Sequence, residues 1–190
     1  LLIENDEEKR TKLTKATGCK SKKEIDLSIC KYSILLIAVK PQGAKNVMKL
    51  LKNFIIPEHL IISVMAGVSL KTLSERLKHK KLVRVMPNIP VLISEGMSVF
   101  FPSDSVDKNE CEWIKIIFSS CGSCIKMNNE DFIDAATAIS GSGPGYLFYF
   151  AEQMTASAKS LGFSENEART LVQTTLLGSV LLWQKNKVSP

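Results

Sequence analysis

Three short, mostly apolar runs, Tyr32–Val39, Leu60–Met65 and Leu82–Met86, constrain this chain more than any other feature. None alternates apolar with polar residues, which is the habit of strands buried on both faces. Between them, apolar residues recur at helical steps. Ala44, Val47, Met48 and Leu51 follow the stop at Lys40 and Pro41, and Leu70, Leu73 and Leu77 follow a capping serine, Ser69. Strands alternating with helices imply a parallel sheet, because parallel neighbours need crossovers. The expected fold class is α/β, a doubly wound parallel sheet with helices on both faces.

Further elements fit this frame. Leu1–Glu4 reads as a short strand, and Glu7–Thr17 as a helix stopped by Gly18. Gly96–Phe101 reads as another strand. Asp107 and Glu110 have capping-box spacing before a helix with Cys111, Ile114, Ile117 and Phe118 on one face. After about Asn128 no strand-like run appears. Leu147, Phe150, Ala151, Met154, Ala158 and Leu161 make a helical stripe, and Ser164 with Glu167 opens a second helix carrying Ala168, Leu171, Val172, Thr175, Leu176 and Leu182. The expected domains are therefore 1–128, α/β, and 129–190, all helical.

Composition narrows the class. The chain is 45% hydrophobic, enough for a real core. Its longest apolar run, Ile34–Val39, is far too short to cross a bilayer, and the front shows no leader, so a cytoplasmic protein is expected. Five cysteines, odd in number and widely spread, suggest reduced thiols. The net charge of +6 is scattered, and the lysine clusters at 20–23 and 78–81 lack interleaved aromatics, so an ordinary basic surface is expected rather than a nucleic-acid site. Such a surface suits an anionic cofactor and a carboxylate substrate.

In open α/β sheets, ligands sit beyond the carboxyl ends of the strands. That singles out Asn5 and Asp6; Ala38, Val39, Lys40 and Pro41; Ala66, Gly67 and Val68; and Met86–Asn88. Small residues and proline there leave backbone groups accessible to a flat dinucleotide, though ordinary turns use the same residues. A carboxylate at Asp6 could accept from a ribose hydroxyl or start a helix. Ser140, Gly141, Ser142, Gly143 and Pro144 precede an amphipathic helix. The turn could offer N–H groups to a carboxylate or be a flexible linker with a good cap.

These segments together resemble a known family. Ala38-Val39-Lys40-Pro41, Ala66-Gly67-Val68, Arg84-Val85-Met86-Pro87-Asn88-Ile89-Pro90 and Ala138–Tyr146 look like the ordered signature of pyrroline-5-carboxylate reductases, and Gln173–Gly178 with Ser179 resembles the family's second substrate-domain helix. The resemblance implies reduction of L-1-pyrroline-5-carboxylate to L-proline by hydride from NADPH or NADH. It implies a Rossmann-like domain, incomplete at the front, and a helical domain that builds a homodimer or larger ring. Ala38–Pro41 and Ala66–Val68 would line the cofactor crevice, with Asn88 beside the nicotinamide and Ser140–Pro144 at the substrate. The carboxylates in the Glu4, Asn5 and Asp6 cluster, which would accept from a ribose hydroxyl and repel a 2′-phosphate, lean the cofactor toward NADH. No side chain is assigned as proton donor.

The departures are a missing glycine fingerprint before Leu1, a missing Ser/Gly/Thr-rich loop after Pro190, and Lys187 where the family usually carries an acid. They imply little or no activity for this stretch alone, and leave open a noncatalytic relative that works through ligand sensing or dimer contacts. A hydroxy-acid dehydrogenase would want a catalytic lysine after the domain junction, and Pro144–Leu161 offers only Lys159. Cys121-x-x-Cys124 is expected to be two half-buried residues at a turn, since no second ligand pair accompanies it. His59 and His79 form no triad, and Trp113 and Trp183 are expected to pack inside.

Overall fold

The computed structural model describes residues 1–186. Strands β1 (Leu2–Ile3) and β2 (Ser21–Lys22) pair in parallel as a sheet of their own, connected by α1 (Glu7–Thr17). Gly18 ends α1 in the left-handed conformation, φ 67°, as the glycine stop anticipates. The main sheet runs in sequence order through β3 (Ile34–Ile37), β4 (Leu60–Ser63), β5 (Leu82–Met86), β6 (Gly96–Pro102) and β7 (Gly122–Lys126). Helices α2 (Ala44–Leu51), α3 (Leu70–Leu77) and α4 (Lys108–Ser119) supply crossovers.

Strand alternation feeds two cores. Ile61 and Leu82 pack with Met48, Leu73 and Leu77 on the face of α2 and α3. Val83, Val85 and Phe100 pack with Ile114 and Phe118 of α4 on the other. Each such fully buried side chain stabilises the fold by roughly 1.5–3 kcal/mol. Asp107 and Glu110 form the anticipated capping box at α4, and Ser69 caps α3 by accepting from Thr72 N–H at 3.2 Å.

The α/β class stands, with helices on both faces, but three details differ from the sequence reading. β5 and β6 are antiparallel, with Arg84 opposite Phe101 and Val85 opposite Phe100. Their connection, Pro87–Glu95, holds only a 3₁₀ turn (Ile89–Ile93), too short for a parallel crossover. β3 is an edge strand, shorter than its apolar run, and Leu36 is 54% exposed rather than buried. β7 was not anticipated, and it places Cys124 in a strand rather than a turn.

The chain divides into two compact units, the second starting at Ser142. The first ends with α5 (Asp131–Ala136) and a π turn, Thr137–Gly141. The second is a helical hairpin, α6 (Gly143–Ser160) and α7 (Glu165–Asn186), with the Ser164 and Glu167 box between them. Ala168 and Val172 are buried, whereas Leu147, Phe150 and Leu161 of the expected stripe lie open. Trp113 and Trp183 are also about half exposed, against expectation, because each stands on the outward side of its helix. Among the described residues no helix is long and apolar enough to cross a membrane.

Candidate functional site

β3, β4 and β5 are adjacent and parallel, so their carboxyl ends share one edge of the sheet. Ala38–Pro41 follow β3, Ala66–Val68 follow β4 and Asn88 follows β5, which gathers three of the four strand-end groups at that edge. The fourth follows a strand of the other sheet. Asn5 and Asp6 follow β1 in the separate sheet, and Asp6 caps α1 by accepting from Lys9 N–H at 3.0 Å. That hydrogen bond, above all, holds its carboxyl below the usual range.

Ala66 and Gly67 are exposed, and Gly67 has φ 70° with no atom within 4 Å of where a Cβ would stand. A left-handed turn at an open edge needs glycine and presents bare backbone. Lys40 is extended, and Pro41 opens a short 3₁₀ turn.

The face of β5 continues into the site. Residues 84, 86 and 88 point the same way, and each meets the segment from Glu130 to Gly141. Arg84, only 2% exposed, reaches Glu130 Oε1 at 3.2 Å and binds Asp134 through both terminal nitrogens. Met86 Cε would lie 3.0 Å from a Cβ on Gly141. Asn88 donates through Nδ2 to the Ser140 carbonyl at 3.0 Å and accepts from Met97 N–H at 2.8 Å. Glu130 Oε1 also accepts from Leu70 N–H at 2.7 Å, at the first turn of α3. Ser140 Oγ donates back to the Ala136 carbonyl at 3.0 Å.

Sequence reasoning gave Arg84, Glu130 and Asp134 no role. The signal available was a lone arginine inside a buried-type strand, which demands a partner. Ser142, Gly143 and Pro144 open α6, where Gly145 N–H returns to the Ser142 carbonyl at 2.9 Å and Ser142 makes no side-chain cap. Lys159 is engaged by Glu165 at 2.6 Å. Lys187 and Pro190 lie outside the described residues. Cys121 and Cys124 are half-buried, and burial pushes the Cys124 thiol up.

A mostly parallel sheet with helices on both faces, strand-end turns open along one edge and a helical unit after it define a Rossmann-like protein of two units. Comparison with known proteins narrows this. The family model for pyrroline-5-carboxylate reductase dimerisation matches residues 130–190. A pyrroline-5-carboxylate reductase of Haemophilus influenzae is 33% identical over 188 residues, 97% of this chain and 69% of that protein. The solved pyrroline-5-carboxylate reductase of Coxiella burnetii superposes with a TM-score of 0.88 at 27% identity, over 98% of this chain and 70% of that one. The Plasmodium falciparum pyrroline carboxylate reductase, solved with NADP bound, gives a TM-score of 0.74 at 34% identity, over 79% of this chain and 59% of that one. This chain belongs to the pyrroline-5-carboxylate reductase family. It spans 60% of one further curated relative and 58% of two others.

Proposed function

We propose that this protein reduces L-1-pyrroline-5-carboxylate to L-proline, the last step of proline biosynthesis, with NADPH or NADH as hydride donor. The observation that carries the reading is the 33% identity to a reductase of that name across 97% of the chain. The relative solved with NADP bound supports a nicotinamide dinucleotide as cofactor.

In this reading Ala38, Val39, Lys40, Pro41, Ala66, Gly67 and Val68 hold the dinucleotide, Asn88 stands near its nicotinamide, and Asn5 and Asp6 face the ribose. The open left-handed turn at Gly67 fits such a group, since backbone approaches closely where no Cβ intervenes. When bound, the nicotinamide supplies the hydride. The protein's own task is to hold and orient. Ser140, Gly141, Ser142, Gly143 and Pro144 receive the substrate. N–H groups at the start of α6 favour its carboxylate, because they lie at the positive end of the helix dipole. Ser140 Oγ spends its proton on Ala136, so toward a ligand it offers only acceptor capacity. No side chain is assigned as proton donor.

The substrate and dimerisation part begins, in this reading, at residue 129, one residue before the family match. Its exposed apolar helices are the face for a second copy, in a homodimer or larger homo-oligomer working in the cytoplasm. The test is oxidation of NADPH or NADH, followed by absorbance, on addition of pyrroline-5-carboxylate to the purified full-length protein, with any sequence that flanks these residues. Oxidation with at least one cofactor supports the reading. None with either would leave the noncatalytic relative as the better account.

A further inference from the structure

The carboxylate Glu130 touches both halves of the site. One oxygen accepts from Leu70 N–H at 2.7 Å, fixing the start of α3 directly after the Ala66–Val68 turn. The same oxygen accepts from Arg84 at 3.2 Å, and Arg84 grips Asp134 with both terminal nitrogens. Asp134 lies in α5, which leads through the π turn into Ser140 and Gly141. The start of α3, through Glu130, and α5, through Asp134, are thus both tied to one guanidinium on β5.

The geometry points to Arg84 and Glu130 as positioning residues that tie the turn after β4 to the turn at Ser140, setting the spacing between the two parts that the proposed function uses for cofactor and substrate. Three physical facts support it. Arg84 is 2% exposed in the middle of β5, between β4 and β6, so it moves little. A guanidinium is planar, so its fork fixes the direction of Asp134 as well as its distance. Met86 and Asn88, two and four residues on, brace Gly141 and Ser140 from the same face, so α5 can neither slide nor roll without breaking the fork. This rests on the proposed function only for what the two turns bind.

The experiment compares Arg84→Lys, which keeps the charge and loses the fork, with the unaltered protein by amide hydrogen exchange and by kinetics. The expected result is faster exchange, by about tenfold or more, at Leu70 and across Thr137–Gly141 together, with Ile61 and Val83 unchanged. In the reductase assay kcat/KM for the imine falls about tenfold to a hundredfold, and KM for the cofactor rises with it. Should the lysine variant fail to fold, Asp134→Asn serves, since the Asp134 side chain is 63% exposed. Uniform loss of protection through the sheet would mean a merely structural arginine, and change at one segment alone, or at neither, would overturn the tie. If the unaltered protein proves inactive, the functional reading fails while the exchange data still decide this one.

Discussion

Asn88 and Ser140 are joined by a single hydrogen bond, Nδ2 to the backbone carbonyl at 3.0 Å, across 52 residues of sequence. The other end of the amide accepts from Met97 N–H at 2.8 Å, so one side chain closes the end of β5 against the start of β6 and against the turn. Asn88→Ala would leave a half-buried N–H and a half-buried carbonyl without partners. The expected cost is about 1–3 kcal/mol, read as a lowered midpoint of chemical unfolding, together with a raised KM for the imine. An unchanged midpoint and KM would mean that the amide holds nothing in place.

Gly141 and Gly67 answer to different causes. A Cβ on Gly141 would stand 3.0 Å from Met86 Cε, the flexible end of a side chain, with ordinary backbone angles. Gly141→Ala is therefore expected to weaken substrate binding, and Gly141→Ala with Met86→Ala to recover part of the loss. Gly67 has open space but φ 70°, so Gly67→Ala is expected to cost about 1–2 kcal/mol whatever its neighbours are. Equilibrium unfolding of the three variants, beside substrate and cofactor titrations, separates steric from conformational cost.

The parts legible in the sequence were those decided locally. Leu60–Met65 and Leu82–Met86 announced β4 and β5 by mostly apolar character, Gly18 announced a helix end by its left-handed backbone, and Ser69 and the Asp107 with Glu110 pair announced helix starts through side-chain bonds. β7 was illegible because Gly122-Ser123-Cys124-Ile125-Lys126 carries neither an apolar run nor a clean alternation, and it is held by pairing with β6. The reversal between β5 and β6 could have been seen, since Pro87–Glu95 leaves no room for a crossover helix. At the site, three strand-end groups followed from the position of small residues after strands. The ion cluster did not, because Arg84 meets partners 46 and 50 residues away, a distance no local pattern spans.

α6 and α7 expose Phe148, Tyr149, Leu177, Leu181 and Trp183. Apolar area of that extent on two neighbouring helices is what the proposed homo-oligomer would cover, and the matched family model is one for dimerisation. Leu181→Glu places a charge on this face without touching buried Ala168 or Val172. The expected outcome is a shift from dimer or larger species toward monomer in sedimentation velocity, with far-ultraviolet circular dichroism unchanged. Sedimentation identical to the unaltered protein would move the interface elsewhere.

His59 supplies a pH dependence whose sign follows from its surroundings. It is fully buried, its Nδ1 accepts from Ile56 N–H at 3.1 Å, and its carbonyl accepts from His79 Nε2 at 2.6 Å. Burial is the largest cause and pushes its pKa down; the Ile29 backbone opposes it, and smaller effects of His79, downward, and Glu58, upward, follow. The folded value thus lies below the ordinary 6.5. As pH falls, the unfolded chain takes up the proton first, so stability is lost below about 6.5 and stops falling once the folded form protonates too. Protonation would also turn Nδ1 from acceptor to donor and set it against the Ile56 N–H. The expected slope from this one residue is at most about 1.4 kcal/mol per pH unit over that window. His59→Gln, followed by urea unfolding across the same range, is expected to flatten the curve; an unchanged slope would assign the acid sensitivity to other groups.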